Sequence, residues 1–236
     1  MPLRSIAAKS LRGIIGERSW FRLKARKPEF SFLRQTHGLV HVGANQGQER
    51  GLYAALNLRV IWIEPIPEVF EQLSRNIAGL PEQRALNLLI TGQDGQQCEF
   101  HIANNSESSS ILDLSRHAEM WPEVAYARTI SLTGKTLGTA LADAAVDLAG
   151  YDALILDTQG AELQILNGAT ALLPRFRFIK VEVPDFEAYK GCCQIADLSA
   201  FMAENGFQEQ RRIPFSEMTG VGCYYDVVYT RKRPTA

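Results

Sequence analysis

Leu39-Val40-His41-Val42-Gly43-Ala44-Asn45-Gln46-Gly47 is the stretch on which the reading of this chain turns. Its first four residues have the apolar, β-branched character of a short buried strand. The glycines that follow let backbone approach a ligand closely, and a helix expected from about Gln48 to Leu56 offers its positive end to the same place. A dinucleotide fingerprint would read G-x-G-x-x-G, but Asn45 stands where the second glycine belongs. A side chain there obstructs a pyrophosphate, so NAD is disfavoured and a smaller cofactor remains open. Gly43 and Gly47 could equally make a tight strand-to-helix turn. His41, in mid-strand, is open to two readings, a cofactor contact or a satisfied core histidine.

The pattern repeats outward from this stretch. Arg59-Val60-Ile61-Trp62-Ile63 reads as a second strand, followed by a helix that starts at Pro67 and carries Val69, Phe70, Leu73 and Ile77 on one face. Ala85 to Ile90 reads as a third strand. Ala153-Leu154-Ile155-Leu156 and Phe178-Ile179-Lys180-Val181 are two more, separated by a helix with Leu163, Ile165, Leu166 and Leu172. Such alternation implies an α/β fold, a doubly wound, mostly parallel sheet with helices on both faces. Residues 97–131 read as mixed strand and loop. After a helix near Ile195–Asn205, Phe207–Ile213 and Cys223–Thr230 read as a C-terminal antiparallel hairpin, which makes a seven-stranded sheet.

Several polar residues end these strands, at the carboxyl edge where open α/β sheets bind ligands. Glu64 ends the second strand, 21 residues after Gly43, and an acid there can accept hydrogen bonds from both hydroxyls of a ribose. Asp157 ends a strand in Leu156-Asp157-Thr158-Gln159-Gly160-Ala161-Glu162. Glu162 falls in a first helical turn, where a negative charge is favoured on structural grounds alone. Glu182 closes Ile179-Lys180-Val181-Glu182, and an acid on a buried strand is costly unless paired or used. Tyr189 and the Ser108–Ser110 cluster are further polar candidates that would also suit loop surface.

At 236 residues with 46% hydrophobic and 22% charged residues, the chain has ordinary globular composition. That excludes disordered, collagen-like and coiled-coil classes, and no apolar run reaches the ~20 residues of a membrane span. The four cysteines lack disulfide-framework density and zinc spacing, pointing to reduced thiols in a cytoplasmic protein. No histidine pair has metal-ligand spacing, and no metal is expected. P-loop and G-x-S-x-G motifs are absent, which sets aside P-loop ATPases and α/β-hydrolases. Charge is uneven: residues 1–27 hold eight Lys/Arg against Glu17, a local +7, leaving −8 on the remainder. Leu3, Ala7, Leu11, Ile14 and Ile15 recur at helical spacing in this basic N-terminal arm, residues 1–37, which is expected to be partly helical. Two roles are open for it, peripheral contact with an anionic membrane or a complex, and packing on the domain with its basic face in water. The acidic body, without interleaved aromatic and basic residues, speaks against a nucleic-acid partner.

Taken in order, the motifs resemble the FkbM family of S-adenosylmethionine-dependent methyltransferases. The matching pieces are His41 to Gly47, Trp62-Ile63-Glu64-Pro65, Leu156 to Glu162, Leu166-Asn167-Gly168-Ala169 and Ile179 to Val183. Ser108-Ser109-Ser110-Ile111-Leu112 and Tyr189-Lys190-Gly191 are similar as well. The resemblance implies a class I, Rossmann-like methyltransferase domain over residues 38–232. It also implies S-adenosylmethionine as cofactor and methylation of a hydroxyl on a sugar, glycan or related secondary metabolite. By position, His41, Gly43, Asn45, Gly47, Glu64 and Asp157 would bind the cofactor. Many members carry Asp where this chain has His41, and a neutral imidazole is a poorer partner than a carboxylate for the cofactor's ammonium. Asp157 and Glu182 would be the catalytic pair, Asp157 as base and Glu182 orienting the acceptor. The rival reading keeps the cofactor without the chemistry, as a non-catalytic subunit of a glycan-assembly complex.

Overall fold

Short runs of Val, Ile and Leu, each closed by a polar or glycine residue, set the frame of this protein. The computed structural model describes residues 16–232. In chain order the elements open with α1 (Glu17–Lys24), a 3-10 stretch (Pro28–Gln35), β1 (Gly38–Val42), α2 (Arg50–Ala55), β2 (Arg59–Ile63), α3 (Pro67–Ile77), β3 (Gln83–Leu86) and β4 (Leu89–Ile90). There follow β5 (Gln97–Ala103), α4 (His117–Met120), β6 (Tyr126–Lys135), α5 (Leu137–Asp143), β7 (Ala153–Leu156), α6 (Glu162–Gly168), β8 (Phe178–Pro184), α7 (Ile195–Glu204), β9 (Phe207–Met218) and β10 (Gly222–Arg231).

The expected seven-stranded sheet is present, in the order β3-β2-β1-β7-β8-β10-β9. Pairing is parallel from β3 to β8 and antiparallel for β8–β10 and β10–β9, as expected of a C-terminal hairpin. Because β1 is flanked by β2 on one side and β7 on the other, the strand order reverses there, and a crevice opens beyond the carboxyl ends of these strands.

The third strand needs correction. Ala85–Ile90 is not one strand: β3 ends at Leu86, and Leu89–Ile90 pairs with Gly134–Lys135 in a separate three-stranded sheet, β4-β6-β5. Asn87 makes the break. Its amide donates to the carbonyls of Glu64 (2.8 Å) and Pro65 (3.1 Å), turning the chain away from the main sheet.

Alternation along the central strands divides the core in two. Val40, Val42, Leu154, Leu156, Ile179 and Val181 bury one face under α5, α6 and α7. Leu39, Val60, Trp62, Ala153, Ile155 and Phe178 bury the other, which is completed by residues 16–36. Phe32 and Leu33 are each 1% exposed, and burying such a side chain contributes about 2 kcal/mol. Phe32 packs 5.7 Å from Phe178, Arg18 donates to Asn57, and Arg22 donates to the Ala55 carbonyl at the end of α2. Those two cations of the basic arm therefore serve the domain itself. The amphipathic pattern from Leu3 to Ile15 lies outside the described residues.

Candidate active site

The register of the sheet fixes which side chains meet in the crevice. His41, Ile155 and Lys180 lie side by side on β1, β7 and β8, facing the core completed by residues 16–36. One step further along, Asp157 follows β7, while Glu182 and Asp226 pair across β8 and β10. Together with Gly43, Asn45 and Glu64 they line one cleft of about 810 Å³, a size typical of small-molecule sites. Among the described lining residues, carboxyl groups outnumber cations seven to one, the cation being Lys180.

The loop after β1 makes the tight strand-to-helix turn that is one of the two readings of its glycines. Gly43, Asn45 and Gly47 have φ of 79°, 45° and 71°. Yet the loop's amides are spent inside the protein. Gly43 and Ala44 donate to the Ile63 carbonyl, Asn45 to Glu64, Gln46 to the Asn45 side chain, and Gly47 to the Ala44 carbonyl. What Gly43 provides is proximity, because a Cβ there would stand 1.7 Å from the Asp157 carbonyl oxygen. The loop thus locks β1 to the end of β7 and leaves no ring of free amides for a phosphate.

Glu64 accepts from the amides of Asn45 and Ile66, both at 2.9 Å. Burial pushes its pKa up to about 7, with the two amides pulling partly the other way. Each oxygen keeps a lone pair free for a further donor.

His41 is buried, stacks on Trp62 with ring centroids 5.1 Å apart, and has its Nδ1 3.3 Å from the Tyr53 hydroxyl. Burial, then the charge of Lys180, lowers its pKa to about 3, so it is neutral in the physiological range.

Asp157 and Glu182 are brought together, and Gln159 joins them. Its amide donates to Asp157 Oδ1 at 2.6 Å and lies 3.4 Å from Glu182 Oε1, while its own oxygen accepts from the Tyr189 hydroxyl at 2.8 Å. Gln159 takes a left-handed φ of 55°, and the Ser110 hydroxyl donates to its carbonyl at 2.7 Å. Tyr189 and the serine cluster thus act on this residue. Burial raises the Asp157 pKa to about 7. Burial, then the Asp157 charge, also push the Glu182 pKa well above the ordinary carboxylate range.

Lys180 and Asp226 form a 2.5 Å ion pair beside them. Burial opposes the lysine's charge, but Asp226, Glu182 and Asp157 outweigh it and keep its pKa above the usual range. Glu162 has the structural role its position suggests, accepting from Thr158 and Gly160 at the start of α6.

Sequence reasoning passed over Lys180, Asp226 and Gln159. Charges at i and i+2 within the otherwise apolar strand 178–183 were the available signal for Lys180 and Glu182. No comparable signal marks Gln159, whose role depends on backbone conformation.

A doubly wound sheet with an acidic cleft at its switch point, a buried carboxyl at the end of β2 and loop amides spent within the protein fits a Rossmann-like methyltransferase. The donor set suits that cofactor, since S-adenosylmethionine carries a sulfonium, an ammonium and a ribose diol. The methyltransferase FkbM domain matches residues 41–209, and the chain belongs to that family of S-adenosylmethionine-dependent enzymes. The 2-O-methyltransferase NoeI of Sinorhizobium fredii (strain NBRC 101917 / NGR234) is 25% identical over 179 residues, covering 72% of this chain and 72% of that protein. Among solved structures, magnesium protoporphyrin IX methyltransferase (ChlM) from Synechocystis PCC 6803 with bound SAM aligns with a TM-score of 0.46 at 12% identity, over 98% of this chain and 82% of that one. Precorrin-6y C5,15-methyltransferase from Geobacter metallireducens GS-15 aligns with a TM-score of 0.45 at 10% identity, over 91% and 87%.

Proposed function

We propose that this protein is an O-methyltransferase that uses Asp157 and Glu182 to handle the proton of an acceptor hydroxyl, on a sugar, glycan or related small metabolite. The observation that carries this reading is the carboxyl pair itself, two buried acids bridged by the Gln159 amide at the wall of one cleft, both with pKa raised by burial. Two interacting carboxyl groups that both resist ionisation suit the handling of a proton.

In this reading Glu64 holds the ribose hydroxyls, the Gly43–Gly47 loop shapes the wall around the methionine moiety, and neutral His41 backs it without competing for its charge. When bound, S-adenosylmethionine supplies a methyl group on a positively charged sulfur. Gln159 fixes the Asp157 carboxylate, which accepts the acceptor's proton as the oxygen–carbon bond forms. Glu182, beside it, orients the acceptor oxygen by hydrogen bonding. Such positioning can supply about 7–11 kcal/mol of the barrier, and a placed base a further roughly 10²–10⁴-fold. Lys180, tied to Asp226, keeps the pair from both staying protonated.

Free, buried cysteines accord with the cytoplasmic location expected. No described helix is long and apolar enough to cross a membrane. The cleft's acidity favours a neutral acceptor over a nucleic acid.

Two measurements test the proposal. Calorimetry with S-adenosylhomocysteine, NAD and ATP should give binding for the first alone; binding of NAD or ATP instead would refute the cofactor assignment. Asp157→Asn should then lower the rate at which S-adenosylhomocysteine is formed from S-adenosylmethionine and an acceptor with a free hydroxyl that the wild type methylates, by roughly 10²-fold or more. A near wild-type rate with intact cofactor affinity would remove Asp157 as base.

A further inference from the structure

We propose that Phe215 and Trp121 form the platform on which the acceptor sits, and that the platform takes an uncharged pyranoside ring, docked by its C–H face. The inference rests on the methyltransferase reading and extends it to the residues that select the acceptor.

The first observation is a strand defect. On β10, Tyr224 pairs with Ser216 and Tyr225 with Pro214, so Phe215 is the extra residue of a β-bulge in β9. Bulges beside sites re-aim a side chain at the cost of a ladder hydrogen bond. Here the re-aimed ring is 48% exposed and lines the cleft. Leu23 and Met218, the other large apolar side chains exposed among the described residues, do not line it.

The second observation is continuity. Phe215 lies 5.9 Å from Tyr224, which lies 5.5 Å from Trp121, itself 4.6 Å from His117. His117 stacks 5.0 Å from Tyr189, whose hydroxyl reaches Gln159 between the two catalytic carboxyls. Phe215, Trp121 and His117 face the cleft, with Tyr224 and Tyr189 behind them. An aromatic wall therefore runs from the cleft mouth to the proton-handling pair. His117 is held by the Tyr224 hydroxyl at 2.7 Å and Ser108 at 3.3 Å, and burial lowers its pKa to about 4, so the ring is neutral near pH 7.

The third observation is the polar lining that adjoins these rings, with the Asn104 amide donating to the Glu123 carbonyl two residues after Trp121. Asn104, Asn105 and Ser106 stand on the rim with Glu107 and Glu123, in a cleft whose carboxyls outnumber cations seven to one. Carboxylates and amides accept from and donate to hydroxyls, while their field repels an anionic ligand. Aromatic faces and adjoining hydrogen-bonding groups in one cleft match a ring that has an apolar face and a rim of hydroxyls. A uronate or phosphorylated sugar would place its charge against carboxylates. A flat phenolic acceptor would use the rings and leave the polar rim unmatched.

Saturation-transfer NMR on the full chain loaded with S-adenosylhomocysteine tests this, with methyl glycosides of glucose, galactose, rhamnose and fucose, the matching uronates, and simple phenols. At least one neutral pyranoside should show transfer concentrated on the C–H protons of one face, with uronates and phenols weaker. Phe215→Ala should weaken that binding about tenfold, with cofactor affinity unchanged, and Phe215→Trp should restore it. Transfer from none of the neutral pyranosides, equal binding of uronates or phenols, or an unaffected Phe215→Ala variant would overturn the inference. Loss of S-adenosylhomocysteine binding in the wild type, by contrast, would overturn the methyltransferase reading beneath it.

Discussion

Replacing Glu64 by glutamine should flatten one component of the protein's pH–stability profile in the absence of cofactor. Burial raises the native pKa of Glu64 from 4.5 to about 7, even though Asn45 and Ile66 donate to it. Between those values the native state binds more protons than the unfolded chain, so stability falls as pH rises. The contribution of Glu64 is most favourable below its unfolded pKa and is lost as pH climbs through about 7. Linkage with these two values gives a loss of about 2.5 kcal/mol between about pH 5 and about pH 8 from this residue. Glutamine removes that slope. It also turns an amide N–H₂ toward one of the two backbone donors, which costs about 1–3 kcal/mol at all pH values. Urea unfolding of wild type and variant at several pH values reads the difference directly. The variant should be the less stable protein near pH 5, and the gap should close or reverse near pH 8. Profiles that stay parallel would show that Glu64 is ionised in the native state throughout, and that the burial argument is wrong.

Gly43→Ala should cost about 2 kcal/mol or more from the left-handed φ and the clash with the Asp157 carbonyl, and abolish cofactor binding in calorimetry. Gly47→Ala should be milder on thermal unfolding, since its new Cβ meets only the flexible end of Leu73. Lys180→Met should destabilise by about 3–5 kcal/mol at neutral pH, because Asp226 loses its buried partner. The penalty should shrink in acid as the carboxyls take up protons, and Lys180→Met with Asp226→Leu should recover most of it in urea titrations. Equal instability of the single and double variants would refute the pairing argument.

The central strands were legible because β1, β2, β7 and β8 are buried on both faces and read as continuous apolar runs. The run from Ala85 to Ile90 misled for the same reason: periodicity reports burial but not which sheet does the burying, and Asn87 alone carries the turn. Glu64, Asp157 and Glu182 could be found as acids ending strands. The glycine loop could be located, but not where its amides are spent, since that depends on partners such as the Ile63 carbonyl that sequence spacing does not reveal. Gln159 and Phe215 were invisible because a left-handed φ and a strand bulge, not residue type, give them their places.

The position of β1 between β2 and β7 also bears on how the protein is made. Its first edge is filled almost as soon as the following helix emerges, but the other stays open until β7 is translated, and the cleft until Asp226 has appeared. At ribosomal speeds the open-edge interval, from Val42 to Leu156, is roughly six to twenty-three seconds. Throughout it a nascent chain holds an apolar strand with one unpaired edge. A chaperone that shields β1 during that interval should raise the yield of active protein more than one acting after release, and a ligand that needs the closed cleft can rescue only chains already completed.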